Sequence, residues 1–151
     1  YTAQNMGAGR WDRVCKGNRI GAAMSVAAVG TVSLGLYFLT APLGVLFVPV
    51  QDAAAVVPQA VVFMRRMAPF FLFYALAESF SGACCGTGDT VRPMILTLLS
   101  ICLLRVLGIL LVLPRQHTME CIIDIYISSW IAAGIGFLIL WQWEKKRVPK
   151  T

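Results

Sequence analysis

Charge is scarce in this chain. Only 13% of its 151 residues are Asp, Glu, Lys or Arg, while 58% are apolar. A soluble domain carries about 25% charged residues. A lone domain of this size has too little polar surface to cover so much apolar side chain. That shortage excludes a soluble enzyme, a disordered tail and a collagen-like chain, and makes a membrane protein the default class. Histidine occurs once, as His117, so no His-based metal site is available from this chain alone. None of the five cysteines (Cys15, Cys84, Cys85, Cys102 and Cys121) forms a C-x-x-C spacing. They read as thiols that pack as small hydrophobes. An initiator Met and a signal-peptide pattern are both missing: the chain starts Tyr1-Thr2-Ala3-Gln4, and its first apolar run begins near Ile20. A piece of a longer protein, with further sequence upstream, is the expectation.

Acidic residues are the scarcer charge, 7 against 13 Lys and Arg. In a soluble protein the excess would suggest nucleic acid. Here most basic residues sit at the two ends and the middle is apolar. Basic residues placed for membrane topology explain that better, and no nucleic-acid partner is expected.

What is abundant is apolar sequence in long runs. Four stand out: 20–39, 67–86, 93–113 and 121–143. Each is near the roughly 20 residues that a helix needs to cross about 30 Å of hydrocarbon. Unpaired backbone groups are not tolerated in lipid, so the runs are predicted to be helices. Residues 1–19 read as a basic cytoplasmic loop and 144–151 as a basic cytoplasmic tail. The longest connection, 40–66, holds Pro42, Pro49 and Pro58. It is predicted to be an exit loop followed by a segment along the membrane surface, about 53–66.

Orientation follows from Lys and Arg placement. With four spans, one side holds Arg10, Arg13, Lys16, Arg19, Arg92, Lys145, Lys146, Arg147 and Lys150, and the other Arg65, Arg66 and Arg115. Nine against three places both termini in the cytoplasm of a multi-pass protein of the plasma or inner membrane. Membrane lipid is then an obligatory partner, and the basic ends are expected to contact anionic lipid.

Two short motifs add specificity. The first is Gln4-Asn5-Met6-Gly7-Ala8-Gly9. The second starts at Ala68-Pro69-Phe70-Phe71, passes Glu78, and continues through Ser81-Gly82-Ala83-Cys84-Cys85-Gly86-Thr87-Gly88-Asp89-Thr90 to Pro93-Met94. Their order and spacing, with one apolar span between them, resemble the multidrug and toxic-compound extrusion (MATE) transporters. The first resembles that family's Q-N-x-G-A-G loop, and the second its L-R-G-x-G-D-T turn followed by P-M. Cys84-Cys85 stands where the family usually has Leu-Arg. The resemblance covers essentially the whole chain. It implies an all-α, polytopic fold: the last four of twelve helices, part of the C-terminal lobe. It assigns structural roles to the motif residues Gln4, Asn5, Gly7, Gly82, Gly86, Gly88, Asp89 and Pro93. It also implies a cation-coupled antiporter, with Na+ or H+ as coupling ion and no other cofactor, that exports small organic and often cationic compounds. The missing upstream helices of the same transporter would be the main protein partner. A self-contained four-span exporter working as a homo-oligomer, and a non-transporting scaffold subunit, remain alternatives. None of these readings is an enzyme.

Three charged residues within or near the spans are candidates for coupling or for intramembrane charge: Glu78, Arg105 and Asp124. A carboxylate inside a span is expensive and is by default a functional hypothesis. Glu78 lies 11 residues before Asp89, roughly 16 Å deep at 1.5 Å per residue. Arg105 lies 12 residues after Pro93, roughly 18 Å deep. Side chains lean toward their helix N-terminus, so the two converge, and an ion pair between them is one expectation. Such a pair would keep Glu78 ionised and compete with a coupling role. Asp124 sits near the outer end of the fourth span, either water-exposed or paired with Arg115. On the second helix, Met67, Phe70, Phe71, Tyr74, Glu78, Ser81 and Cys85 follow helical spacing. Phe70, Phe71, Tyr74 and Ser81 are therefore candidates to line a substrate cavity; the alternative is aromatic packing against lipid or neighbouring helices. Gly82 and Gly86 form G-x-x-x-G, as do Gly17 and Gly21, and predict close helix packing.

Overall fold

The structure is a computed structural model that describes residues 1–115 and 118–147. His117 and Lys150 lie outside the described residues. Helices joined by short turns make up the described part. A short helix, α1 (Thr2–Gly7), precedes α2 (Trp11–Phe47) and α3 (Val50–Met67). A tight 3-10 turn at Ala68–Phe70 leads into α4 (Phe71–Gly86). After a reversal come α5 (Val91–Thr97), a π-helical turn (Leu98–Leu103) and α6 (Leu104–Leu111). The last helix is α7 (Met119–Arg147). Four continuous stretches are long and apolar enough to cross a membrane: Trp11–Phe47, Val50–Gly86, Val91–Leu111 and Met119–Arg147. The protein is thus an all-α, multi-pass membrane protein.

The basic segment before Ile20 is part of α2 rather than a loop. Trp11 anchors its first turn by packing on Trp141 of α7, ring centroids 5.9 Å apart. Gly9 makes the bend between α1 and α2 at φ 68°, a conformation open to glycine. The Arg10 amide donates back to the Asn5 carbonyl at 2.8 Å.

Residues 40–66 depart from expectation. There is no exit loop at Pro42, because α2 runs through it to Phe47. The Thr40 hydroxyl bonds the Leu36 carbonyl just before the proline. The chain reverses only at Val48, which is extended ahead of Pro49 as a pre-proline residue should be. Residues 53–66 belong to α3, which packs antiparallel along α2. Gly44 faces Val57 so closely that a Cβ would lie 3.4 Å from its methyls. Arg65 Nε donates to the Tyr37 carbonyl at 3.3 Å. The two apolar helices pack side by side with Pro42 and Pro58 inside them, and the sequence alone does not reveal that.

At the opposite end of α4, Gly88 takes φ 96° to close the turn. Asp89 accepts the Arg92 amide at 3.3 Å and so caps α5. Pro93 is buried in the first turn of α5. The third span is peripheral, with 6% of its apolar window buried; α7 is central, with 44%. Small residues let α7 approach its neighbours, as expected of helices in lipid. Ala133 meets Ala77, and a Cβ on Gly134 would lie 3.2 Å from the Phe73 carbonyl oxygen. The two G-x-x-x-G pairs behave differently from expectation. Gly17 and Gly86 are closed over by Tyr1 and Thr2 of the N-terminal segment, whereas Gly21 and Gly82 have nothing within 4 Å of a built Cβ. Each motif therefore seats the N-terminal segment with one glycine rather than a helix with two.

Candidate functional site

A cavity of about 750 Å³ opens between α2, α4, the third span and α7. Organic ligands of drug size occupy clefts of about 300–1,000 Å³. Ala28, Val29, Val32, Ser33 and Leu36 of α2 form one wall. Phe71, Tyr74 and Glu78 of α4 form the second, at helical i, i+3, i+7 spacing. Thr97, Ile101 and Arg105 form the third, and Trp130 of α7 closes the floor.

The third wall depends on the π turn. Residues eight apart in an unbroken α-helix lie about 80° apart around its axis. One π turn takes up an extra residue, so Thr97 and Arg105 sit as if seven apart, offset by about 20°. Both therefore reach the same cavity. Ser100, inside the turn, bonds the Leu96 carbonyl at 2.7 Å.

Glu78 and Arg105 line the same cavity, but no ion pair joins them, and none involves Glu78 among the described residues. Arg105 is held from α7 instead. Its Nε donates to Ser129 Oγ at 2.9 Å, and Ser129 in turn donates to the Tyr126 carbonyl at 2.7 Å. The guanidinium lies over the Tyr126 ring at 4.2 Å and near the Trp130 ring at 5.8 Å. The rise of a helix fixes the depth of the two charges but not their direction around the helix axes. Glu78 is exposed to the open cavity. Ser33 Oγ, also on the wall, is buried without a hydrogen-bond partner in the structure.

The predicted aromatic stripe divides. Phe71 and Tyr74 reach the cavity and pack on Trp130, at ring distances of 5.2 and 6.1 Å. Phe70 turns away into the cluster of Met67, Ile123, Ile127 and Trp130. Ser81 does not line the cavity. Phe70 lies in the 3-10 turn ahead of α4, and Ser81 lies nearly a full turn beyond Glu78, past the last cavity-lining residue of that helix. Asp124 is not in the cavity either. It pairs with Arg66, at 2.8 and 3.1 Å, and Arg66 also reaches Glu120 at 3.7 Å. Arg66 therefore takes the place expected of Arg115.

The motif residues gather at the basic end. Gln4, Asn5 and Gly7 form α1, with Asn5 Nδ2 donating to the Tyr1 carbonyl at 2.9 Å. Cys84 is buried against Trp11, Val14 and Trp141, and Cys85 is exposed. Asp89 holds Arg92 at 2.7 Å. Burial by itself would raise the Asp89 carboxyl, but the Arg92 amide and guanidinium outweigh it and hold the group below the usual carboxylate range. Arg92 also reaches buried Glu144 at 3.4 Å, and Arg147 reaches Glu144 at 3.6 Å. Trp143 stacks on both guanidiniums. Glu144 went unremarked in the sequence because it reads as part of a solvated basic tail. Trp130, Tyr126 and Ser129 were missed as well. Their signal was available: an arginine inside a span needs a hydroxyl and aromatic faces, and Tyr126-x-x-Ser129-Trp130 supplies them on one helix face.

Among the described residues no group of three His, Cys, Asp or Glu side chains could hold a metal ion. A single-carboxylate cavity can accept a proton, a monovalent cation or an organic cation. A family model described as MatE matches residues 1–111. The match ends with α6, so Tyr126, Ser129 and Trp130 lie beyond it. No curated protein and no solved structure matches the chain.

Proposed function

The chain belongs to the MatE family of multidrug and toxin efflux transporters, and from that premise we propose that the cavity around Glu78 is its site of cation-coupled exchange. The carrying observation is Glu78 itself: a carboxylate without an ion pair, open to an apolar and aromatic cavity of about 750 Å³. A charge surrounded by hydrocarbon demands a counter-charge. One carboxylate neutralises one monovalent cation at a time. A proton or Na+ and an organic cation therefore exclude each other there, and mutual exclusion is what antiport requires. Phe71 and Tyr74 offer ring faces to the organic ion, and the α2 wall offers dispersion contact. The excess of Lys and Arg at the basic end supports placing both termini in the cytoplasm of a plasma or inner membrane.

Ethidium binding to the purified chain in neutral detergent tests this reading. Acidification is expected to weaken binding to the wild type, and Glu78→Gln to lower affinity at least tenfold and abolish the pH effect. Glu78→Asp keeps both. Unchanged, pH-dependent ethidium affinity in Glu78→Gln would sink the assignment.

A further inference from the structure

We propose that Arg105 selects ligands that carry an anionic group beside their positive charge, so that this cavity favours zwitterionic amphiphiles over simple monocations. The inference rests on the cavity being the substrate site.

Three observations carry it. First, the indole face that lines the cavity, Trp130, already has a cation beside it, and that cation is held over Tyr126 next to the cavity. Arg105 sits over Tyr126 at 4.2 Å and near Trp130 at 5.8 Å. A guanidinium on a ring face competes with any ligand cation for the same quadrupole. Second, Arg105 is fastened by one nitrogen only. Nε bonds Ser129 Oγ, while the terminal N–H groups have no acceptor among the described residues. Unpaired charged donors against a wall of Ile101, Val32 and Leu36 are costly. An arginine fork is shaped for a carboxylate, so an acceptor brought by a ligand relieves that penalty. Third, Glu78 lines the same cavity without pairing to Arg105. The two opposite charges are held apart, each open to the space between. A monocation that meets Glu78 leaves Arg105 unmatched and repelling it. A ligand with both charges satisfies both residues.

The π turn makes Arg105 a built feature of the wall. Without the extra residue of that turn its side chain would point about 80° away from Thr97 and out of the cavity.

The test uses a matched pair of dyes, a zwitterionic carboxyrhodamine and its methyl ester, which differ in one negative charge. Fluorescence anisotropy with the purified chain in neutral detergent gives both affinities. The wild type is expected to bind the free acid at least fivefold more tightly than the ester. Arg105→Gln is expected to remove the preference while keeping ester binding. Ser129→Ala, which leaves the charge but frees the guanidinium, is expected to narrow the preference at least twofold, and it covers the case of Arg105→Gln failing to fold. Equal affinities in the wild type, or a preference that survives in Arg105→Gln, would overturn the inference while leaving the cavity assignment intact. Failure of both dyes to bind the wild type would remove the cavity assignment along with it.

Discussion

Asp89 does two jobs with one carboxylate, capping α5 and holding Arg92. Its folded-state ionisation lies below the usual carboxylate range. A group shifted that way stabilises the fold when ionised, fully above its unfolded value and progressively less as pH falls through the folded one. Asp89→Asn is therefore expected to lower stability by about 1 kcal/mol near neutral pH, allowing for the half-exposed Arg92. The difference should shrink as pH falls below the ordinary carboxylate range and vanish only once the folded-state carboxyl itself is protonated. Thermal unfolding of the two proteins in detergent across that pH range checks it. A difference that persists in acid would mean that Asn fails to cap for a steric reason. The roles of single residues were only partly legible in the sequence. Asp89 announced itself by its place in a Gly-x-Gly-Asp turn. Glu78 and Arg105 announced themselves as charges in apolar runs, and the constant rise of a helix gave their depth. The partners of Arg105 did not follow, because the π turn that aims it leaves no hydrophobic signature.

Among the elements, the apolar runs were easy to read and their extents were not. From Arg66 to Gly86 the chain spans about 30 Å, the thickness of the hydrocarbon layer. The Arg66–Asp124–Glu120 cluster therefore marks one interface and the Gly86–Asp89 turn the other. Val50 lies about 24 Å further along α3. Tilting would have to exceed the range of about 0–40° seen for membrane helices to hide such length, so the α2–α3 hairpin is expected to project beyond the interface. Its tip is apolar and bare, with Phe47 85% and Val50 89% exposed. Hydropathy registers this segment as more span, and the exit was expected from Pro42 onward, whereas α2 stays helical to Phe47. In a cysteine-free background, Phe47→Cys should react completely with a membrane-impermeant maleimide in membranes opened to both faces. Leu107→Cys, in the middle of the third span, should stay unlabelled. Protection of Phe47→Cys would show that the hairpin folds back into lipid. The glycine motifs give a second expectation. Gly86→Ala places a Cβ 2.6 Å from Thr2 Cβ and must displace α1. Gly82→Ala meets nothing and should gain about 0.5–1 kcal/mol from helix propensity. Amide exchange across 2–7 reads the first, and the melting temperature the second.

For the molecule as a whole, α7 is the post around which the other spans are arranged. Phe137 is 2% exposed and packs against Ala77, Ala133 and Leu96, whereas Leu110 on the third span is 64% exposed. Lipid is as apolar as either side chain, so burial between helices stabilises mainly through contact rather than escape from water. Phe137→Ala is expected to cost about 1–3 kcal/mol, below the 3–5 typical of aqueous cores. Leu110→Ala should cost under about 0.5 kcal/mol. Unfolding in mixed detergent and SDS micelles measures both. Similar penalties would mean that the third span packs inside the assembly rather than at its rim. The central place of α7 could not be seen in its composition. Its apolar residues encircle the helix almost evenly, and which face is covered depends on helices distant in sequence.

The π turn also gives the third span room for an edit. Removing Leu99 converts the turn to ordinary helix and leaves the phase between Thr97 and the shortened chain beyond it nearly unchanged. A one-residue deletion two turns later, at Leu107, would swing everything downstream by about 100° and carry Gly108 away from its contact with Ile125. This span should forgive lost codons at one place along its length and nowhere else.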